Sequence, residues 1–177
     1  VAGYDLPKLF VGSGGALGLL TDVSLKLAPL PRARASLIVP FDTAADALRC
    51  GERLLRVCLV ASALLVRKGW DGQGVRAPVA LIYTAEGVPE DVRAELGEAR
   101  SALAACRAPT PTEAPGFSGS EAWAAWLRGA DEVLRAGVPA KELPAFAAGL
   151  APHLSGAEWL ADLAAGMGAQ WRVDLGA

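Results

Sequence analysis

Four glycines, Gly12, Gly14, Gly15 and Gly18, fall within seven residues of the stretch KLFVGSGGALGLLTDVSLKLAPLP, Lys8 to Pro31. Such a cluster can serve two kinds of chemistry. A G-x-G-x-x-G fingerprint between a strand and a helix receives the pyrophosphate of a dinucleotide on its backbone amides. Glycines can also turn the chain at positive φ, and they let a flat ligand approach main-chain N–H and C=O groups without meeting a Cβ. The fingerprint fails here, because Leu17 stands where its last glycine belongs. The looser spacing Gly12, Gly14, Gly18 survives, but the residues after Gly18 alternate as a strand does instead of opening a helix. A ligand-facing bend and a plain turn between two strands both remain consistent with the residues.

Other candidates for chemistry are sparse. His153 is the only histidine. One imidazole makes a poor metal site, and general-base work needs a positioned partner. Its place after Pro152, near a predicted helix end, suits capping or exposure. Cys50, Cys58 and Cys106 form no C-x-x-C pair, which argues against zinc or iron–sulfur sites built from this chain. Buried, reduced thiols fit a reducing, cytoplasmic compartment. Trp70 is expected in a hairpin loop, where an exposed indole could anchor a subunit interface. Trp123 and Trp126, three apart, should share one helix face against the core. Arg49, Arg53 and Arg56 read as the solvated side of a helix.

The elements that must position these residues follow from periodicity. Val23, Leu25 and Leu27 alternate with polar residues and predict a strand, Leu9 to Val11 a second one, and Pro29 and Pro31 a stop. Ser36 to Phe41 predicts a strand. Thr43 to Asp46 resembles a capping box with Asp in place of Glu. It opens a helix with Ala44, Ala47, Leu48, Gly51, Leu55 and Cys58 on one face. Val60 to Val66 and Val79 to Thr84 predict strands around a GWDGQG loop. Pro89, Glu90 and Asp91 suit a helix start, and Val92, Leu96, Ala99, Leu103 and Cys106 form its apolar stripe. Arg107 to Ser120 reads as a surface loop. Beyond it come a helix over Ala122 to Leu127, a strand over Glu132 to Val138, a helix over Leu143 to Leu150, and strands over Glu158 to Asp162 and Ala169 to Asp174. Two split strand–helix–strand halves predict an α+β fold: a ferredoxin-like antiparallel sheet with helices on one face.

At 177 residues the chain can bury about 70% of its unfolded surface and needs no metal or disulfide staple. A net charge of −2 and a pI near 5.5 argue against nucleic acid as a partner. The RNA-binding version of this fold expects aromatic residues on central strands, and Phe41 is the only one on the first two. No apolar run reaches the length of a membrane span, and no secretion signal opens the chain. The start at VAGYDL, without methionine, suggests a piece of a longer protein.

The stretch VAGYDLPKLFVGSGGALGLLTDVSLKLAPLPRA resembles the end of the FAD-binding domain in flavin-linked oxidases of the vanillyl-alcohol oxidase (PCMH) type. Within that family it resembles the smaller of the FAD-binding chains of bacterial glycolate oxidases. The family pattern is close to G-Y-D-L-x-x-L-x-x-G-S-x-G-T-L-G-[VI]-[IL]-T-E-x-[ST]-[LM]-[KR]-x-x-P-x-P. The resemblance implies that residues 1–34 are the terminal strands of an FAD-binding domain and residues 35–177 a ferredoxin-like cap. Gly14, Gly15, Ala16, Leu17, Gly18, Leu19 and Leu20 would then lie along FAD, mainly through backbone contacts. Gly14 and Ala16 replace a frequent Glu and Thr. Tyr4 and Asp5 match family positions too, with a structural role equally open. The family's pyrophosphate loop lies upstream of the matching segment, so FAD should be weakly held or absent in this piece alone.

The implied activity is oxidation of a 2-hydroxy acid such as glycolate, with electrons leaving through partner subunits that include an iron–sulfur protein. No H-x-x-x-x-x-x-H spacing is present, and no catalytic residue is transferred. The alternative is a non-enzymatic ferredoxin-like module for ligand or protein binding.

Overall fold

The computed structural model describes residues 6–27, 29–57, 61–128, 133–138, 142–150, 159–162 and 169–174. The chain divides into two compact units, Val1–Leu30 and Pro31–Ala177. The first holds one short helix, α1 (Leu6–Phe10), followed by turns. Neither strand predicted here forms. Leu9 and Phe10 belong to the helix, and Val23, Leu25 and Leu27 are 67%, 78% and 85% exposed. A period-two pattern becomes a strand only when a neighbour takes up its N–H and C=O groups, and this segment has no ladder.

The second unit contains β1 (Ala33–Phe41), α2 (Ala44–Val57), β2 (Ala61–Gly72), β3 (Val75–Gly87), α3 (Pro89–Ala105), β4 (Thr112–Pro115) and α4 (Gly119–Arg128). It continues with β5 (Val133–Val138), α5 (Leu143–Leu150), β6 (Trp159–Asp162) and β7 (Ala169–Asp174). The strands make one antiparallel sheet in the order β4-β1-β3-β2-β6-β7-β5. Central β1 and β3 carry near-continuous buried runs, as strands covered on both faces do.

Successive side chains divide between two cores. Leu37, Val39, Leu64, Val66, Leu81 and Tyr83 face α2 and α3. Ile38, Leu65, Ala80 and Ile82 face the opposite way and pack with Trp126 of α4. The expectation of helices on one face is therefore corrected: α4 covers the second face. An apolar stripe on both sides of the sheet demands two covers.

Local chemistry explains the element ends. Thr43 Oγ1 accepts a hydrogen bond from the Asp46 amide at 3.2 Å, and the Thr43 hydroxyl donates to Asp46 Oδ2 at 2.6 Å. The shorter Asp thus takes the hydroxyl. The buried side of α2 runs through Ala47, Leu48, Cys50, Gly51 and Leu54, shifted from the expected Leu55. Cys58 lies outside the described residues. The predicted GWDGQG loop shrinks to a two-residue hairpin turn, Gln73–Gly74, with φ of 52° and 74°. Two left-handed residues match the twist of the flanking strands. Part of the predicted Arg107–Ser120 loop is edge strand β4, whose Ala35↔Pro115 to Ile38↔Thr112 register is helped by an Arg100–Glu113 ion pair from α3.

On the second face, Ser36 and Thr84 are cross-strand partners with no exposure. Their hydroxyls lie 2.8 Å apart, Ser36 donates to Phe117 O at 2.8 Å, and Gly119 N donates to Thr84 Oγ1 at 2.9 Å. A Cβ on Gly119 would stand 2.8 Å from Thr84 Oγ1 and 3.3 Å from Ile82 Cγ2. Gly119→Ala is therefore expected to cost about 1–3 kcal/mol by overpacking, read as a lower urea midpoint. Gly97→Ala, in α3 with nothing within 4 Å of the new methyl, is expected to stabilise by about 0.5–1 kcal/mol in the same assay.

Candidate functional site

All seven residues predicted to meet a cofactor lie consecutively in one exposed bend of the first unit. After α1, hydrogen bonds from Val11 N to Pro7 O (3.2 Å), Ser13 N to Phe10 O (3.1 Å) and Ala16 N to Ser13 O (3.0 Å) fold the chain back. Gly14 and Gly15 have φ of 59° and 85°, and a Cβ on either would meet nothing within 4 Å. The backbone course, not crowding, thus requires glycine here. Leu17, Leu19 and Leu20 are 52%, 90% and 62% exposed. The bend therefore presents bare peptide groups beside apolar side chains, a surface that suits a flat, partly apolar ligand. Tyr4, Asp5 and His153 lie outside the described residues.

Among the described residues, two clefts of the second unit bring polar and aromatic side chains together. The first, about 710 Å³, lies along α2 beside the C-terminal end of α3 and is lined by Phe41, Asp46, Arg49, Cys50, Arg53 and Cys106 among others. Arg49 pairs with Asp46, and Arg56 with Glu52 at 2.5 Å, both on the exposed side expected for these arginines. The Thr43 hydroxyl, then Arg49, holds the Asp46 carboxyl below its ordinary range. Arg53 Nη1 lies 3.9 Å from Cys106 Sγ. Burial, and secondarily the neighbouring Cys106, pushes the Cys50 thiol up to about 11.

The second cleft, about 890 Å³, is lined by Arg67, Trp70, Gln73, Arg76, Phe117 and Trp126 among others. Trp70 meets Phe117 edge-on with ring centroids 6.0 Å apart, and the Arg67 guanidinium lies 5.8 Å from the Trp70 ring centre. The indole N–H donates to Gly72 O at 3.0 Å. The expectation of Trp70 in an exposed loop, as an interface anchor, is corrected here. At 7% exposure on β2 it is instead a core residue, because the hairpin turns three residues later. Trp123 and Trp126 do share a helix face, with centroids 6.5 Å apart.

Sequence reasoning missed both the Arg67–Trp70–Phe117 group and the meeting of Cys50 with Cys106. A signal for the second existed: Cys106 ends the apolar stripe of α3, and Cys50 lies between buried positions of α2.

The chain shares local similarity with D-lactate dehydrogenases and glycolate oxidase subunits. It is 45% identical over 53 residues, 30% of this chain, to the mitochondrial cytochrome-type D-lactate dehydrogenase 1 of Saccharomyces cerevisiae. It is 62% identical over 37 residues, 21% of this chain, to glycolate oxidase subunit GlcE of Escherichia coli. A longer match, 33% over 101 residues and 51% of this chain, is to subunit GlcD of the same organism. These matches span 9%, 11% and 20% of the relatives' own lengths. No family model matches. Among the described residues, no helix is long and apolar enough to cross a membrane.

The raised Cys50 thiol makes a pH prediction. Once unfolded it ionises near pH 9, whereas in the fold it stays neutral to about pH 11. Its contribution to stability is whole below pH 9 and is lost as pH rises to 11. Urea midpoints measured across that window are expected to fall, and Cys50→Ala should flatten the fall.

Proposed function

We propose that this chain is part of a flavoprotein subunit of a glycolate oxidase-like 2-hydroxy-acid oxidoreductase. In this reading residues 1–34 close an FAD-binding domain, and residues 35–177 form a ferredoxin-like cap. The carrying observation is the exposed bend at Gly14 and Gly15, where main chain turns with no side chain above it. The local matches support it, since glycolate and D-lactate, named in those relatives, share a carboxylate beside a hydroxyl-bearing carbon. The strand order β4-β1-β3-β2 over residues 33–115, with α2 and α3 as crossovers, supports the ferredoxin-like part.

The residues fit the flavin by chemistry. Backbone amides and carbonyls of Gly14 to Leu20 can approach a planar ring closely, while Leu19 and Leu20 give it an apolar border. FAD, when bound, would supply the acceptor for the hydride leaving the hydroxyl-bearing carbon. The chain's own task is to hold and orient that ring and to exclude water from it. Val23, Leu25 and Leu27 would complete a strand whose partners lie elsewhere in the flavoprotein. Electrons would pass on through partner subunits, an iron–sulfur protein among them, in the cytoplasm.

A second reading, a non-enzymatic ferredoxin-like module, draws support from the well-packed cores within residues 33–126. The absorption spectrum of the full-length protein separates the two, since only the first expects flavin bands. The 177-residue chain alone is expected to emerge from gel filtration without FAD, and a stoichiometric yellow complex would contradict that. In the full-length protein, Gly15→Val should weaken FAD binding about tenfold, because about 1–3 kcal/mol of strain attends a β-branched residue in the left-handed region. Unchanged flavin retention would remove the bend from the site.

A further inference from the structure

We infer that Cys50 and Cys106 form a redox site: a dithiol that a hydroperoxide converts into a disulfide joining α2 to the end of α3. The inference is independent of the flavin reading and rests on four observations within the second unit.

Both sulfurs line the same cleft. Cys106 caps the C-terminus of α3, and its side chain packs on the core cluster that contains Cys50. Cys106 is close enough to act on the Cys50 thiol and raise it. Arg53, one helical turn beyond Cys50, reaches Cys106 Sγ at 3.9 Å.

The pair is asymmetric in a way that assigns roles. Cys106 is half-buried, opens on the cleft and has a cationic donor beside it. Cys50 is 7% exposed. Accessible sulfurs with a nearby guanidinium are the ones oxidised first, and a second thiol within reach resolves them. Cys106, as thiolate, attacks a peroxide oxygen. The O–O bond breaks, one oxygen stays on sulfur as a sulfenic acid, and the other leaves as hydroxide and takes a proton to become water. The Cys50 sulfur then attacks Cys106 Sγ. The S–O bond breaks, hydroxide leaves and is protonated by the proton Cys50 gives up. Two thiols and one hydrogen peroxide thus give one disulfide and two waters. Arg53 faces the negative charge that Cys106 carries into the first step and that the departing oxygen takes up in the second.

The fold makes this more than proximity. Cys50 sits in a helix packed on the sheet, so it cannot swing out to meet an external thiol, whereas its neighbour at the end of α3 lies in front of it. A bridge here would close the chain from residue 50 to residue 106 and bind the two helices that cover one face.

Peptide mapping reads the outcome directly, because trypsin separates the three cysteines into 50–53, 57–67 and 101–107. The reduced 177-residue chain is treated with one equivalent of hydrogen peroxide, and remaining thiols are capped with N-ethylmaleimide. The expected product is monomeric, lighter by about 2 Da before capping, with 50–53 joined to 101–107 and a single adduct on 57–67. Cys58→Ser should keep the link, and Cys50→Ser should leave a dimedone-reactive sulfenic acid on Cys106. The inference is overturned by a bridge through Cys58, by a disulfide between two chains, by sulfinic acid on Cys106 with Cys50 still free, or by three thiols that all still take the maleimide.

Discussion

Two hydroxyls on a covered sheet face set the architecture of the second unit. Ser36 and Thr84 stand opposite each other on the central strands, and neither reaches solvent. A buried hydroxyl or amide left without a partner costs about 1–3 kcal/mol, so the cover of that face must bring partners with it. The Phe117 carbonyl and the Gly119 amide do so. Their arrival leaves no room for a side chain at Gly119, which fixes where α4 begins. Ser118, bonded through Oγ to Glu86 at 2.8 Å, and the Arg34–Glu121 ion pair hold the same end from either side. From that start, Trp126 and Trp123 fall over Leu65, Ile82 and Trp70 and complete the second core.

The opposite face obeys a different rule. Its core is apolar and mainly aliphatic, with Phe41 and Cys50 among its members, and α2 and α3 cover it through stripes of mostly Ala and Leu. Tyr83 is the exception: its ring is fully buried while its hydroxyl donates to Glu95 on α3. Nothing polar in the sheet dictates where these helices end, so the helices themselves set the edge. The cleft that opens there collects polar side chains along α2 and the residues that end α3, which is how four arginines and two thiols come to share it. Chemistry gathers at the margin of this face because its centre is filled with groups that have none.

The first unit differs in kind. Its apolar residues are outward, and its turns are closed by a few backbone bonds. Such a segment states in its sequence an alternation that only another strand can use. The proposed flavin role therefore draws on two sources that do not overlap: an open main-chain bend, and local likeness to glycolate oxidase and D-lactate dehydrogenase chains. The second unit needs neither to fold, since its two cores close within residues 33–126.

Much of the second unit was legible because the signals act within one or two turns of chain. The Thr43 cap, Pro89 at the first turn of α3 and the stripe Val92, Leu96, Ala99, Leu103 each work through neighbours three or four residues away, and each appears as read. The cores of β1, β2 and β3 were visible for the same reason. What escaped depends on partners far along the chain. Thr112–Pro115 looks like a loop until β1 offers it an edge, and Trp70 looks exposed until the hairpin carries β2 past it. The second helical cover and the meeting of Cys50 with Cys106 likewise belong to tertiary structure. Periodicity and caps are local energies and can be read in line; ladder pairing, face choice and thiol proximity are contacts across tens of residues, decided only when the sheet closes.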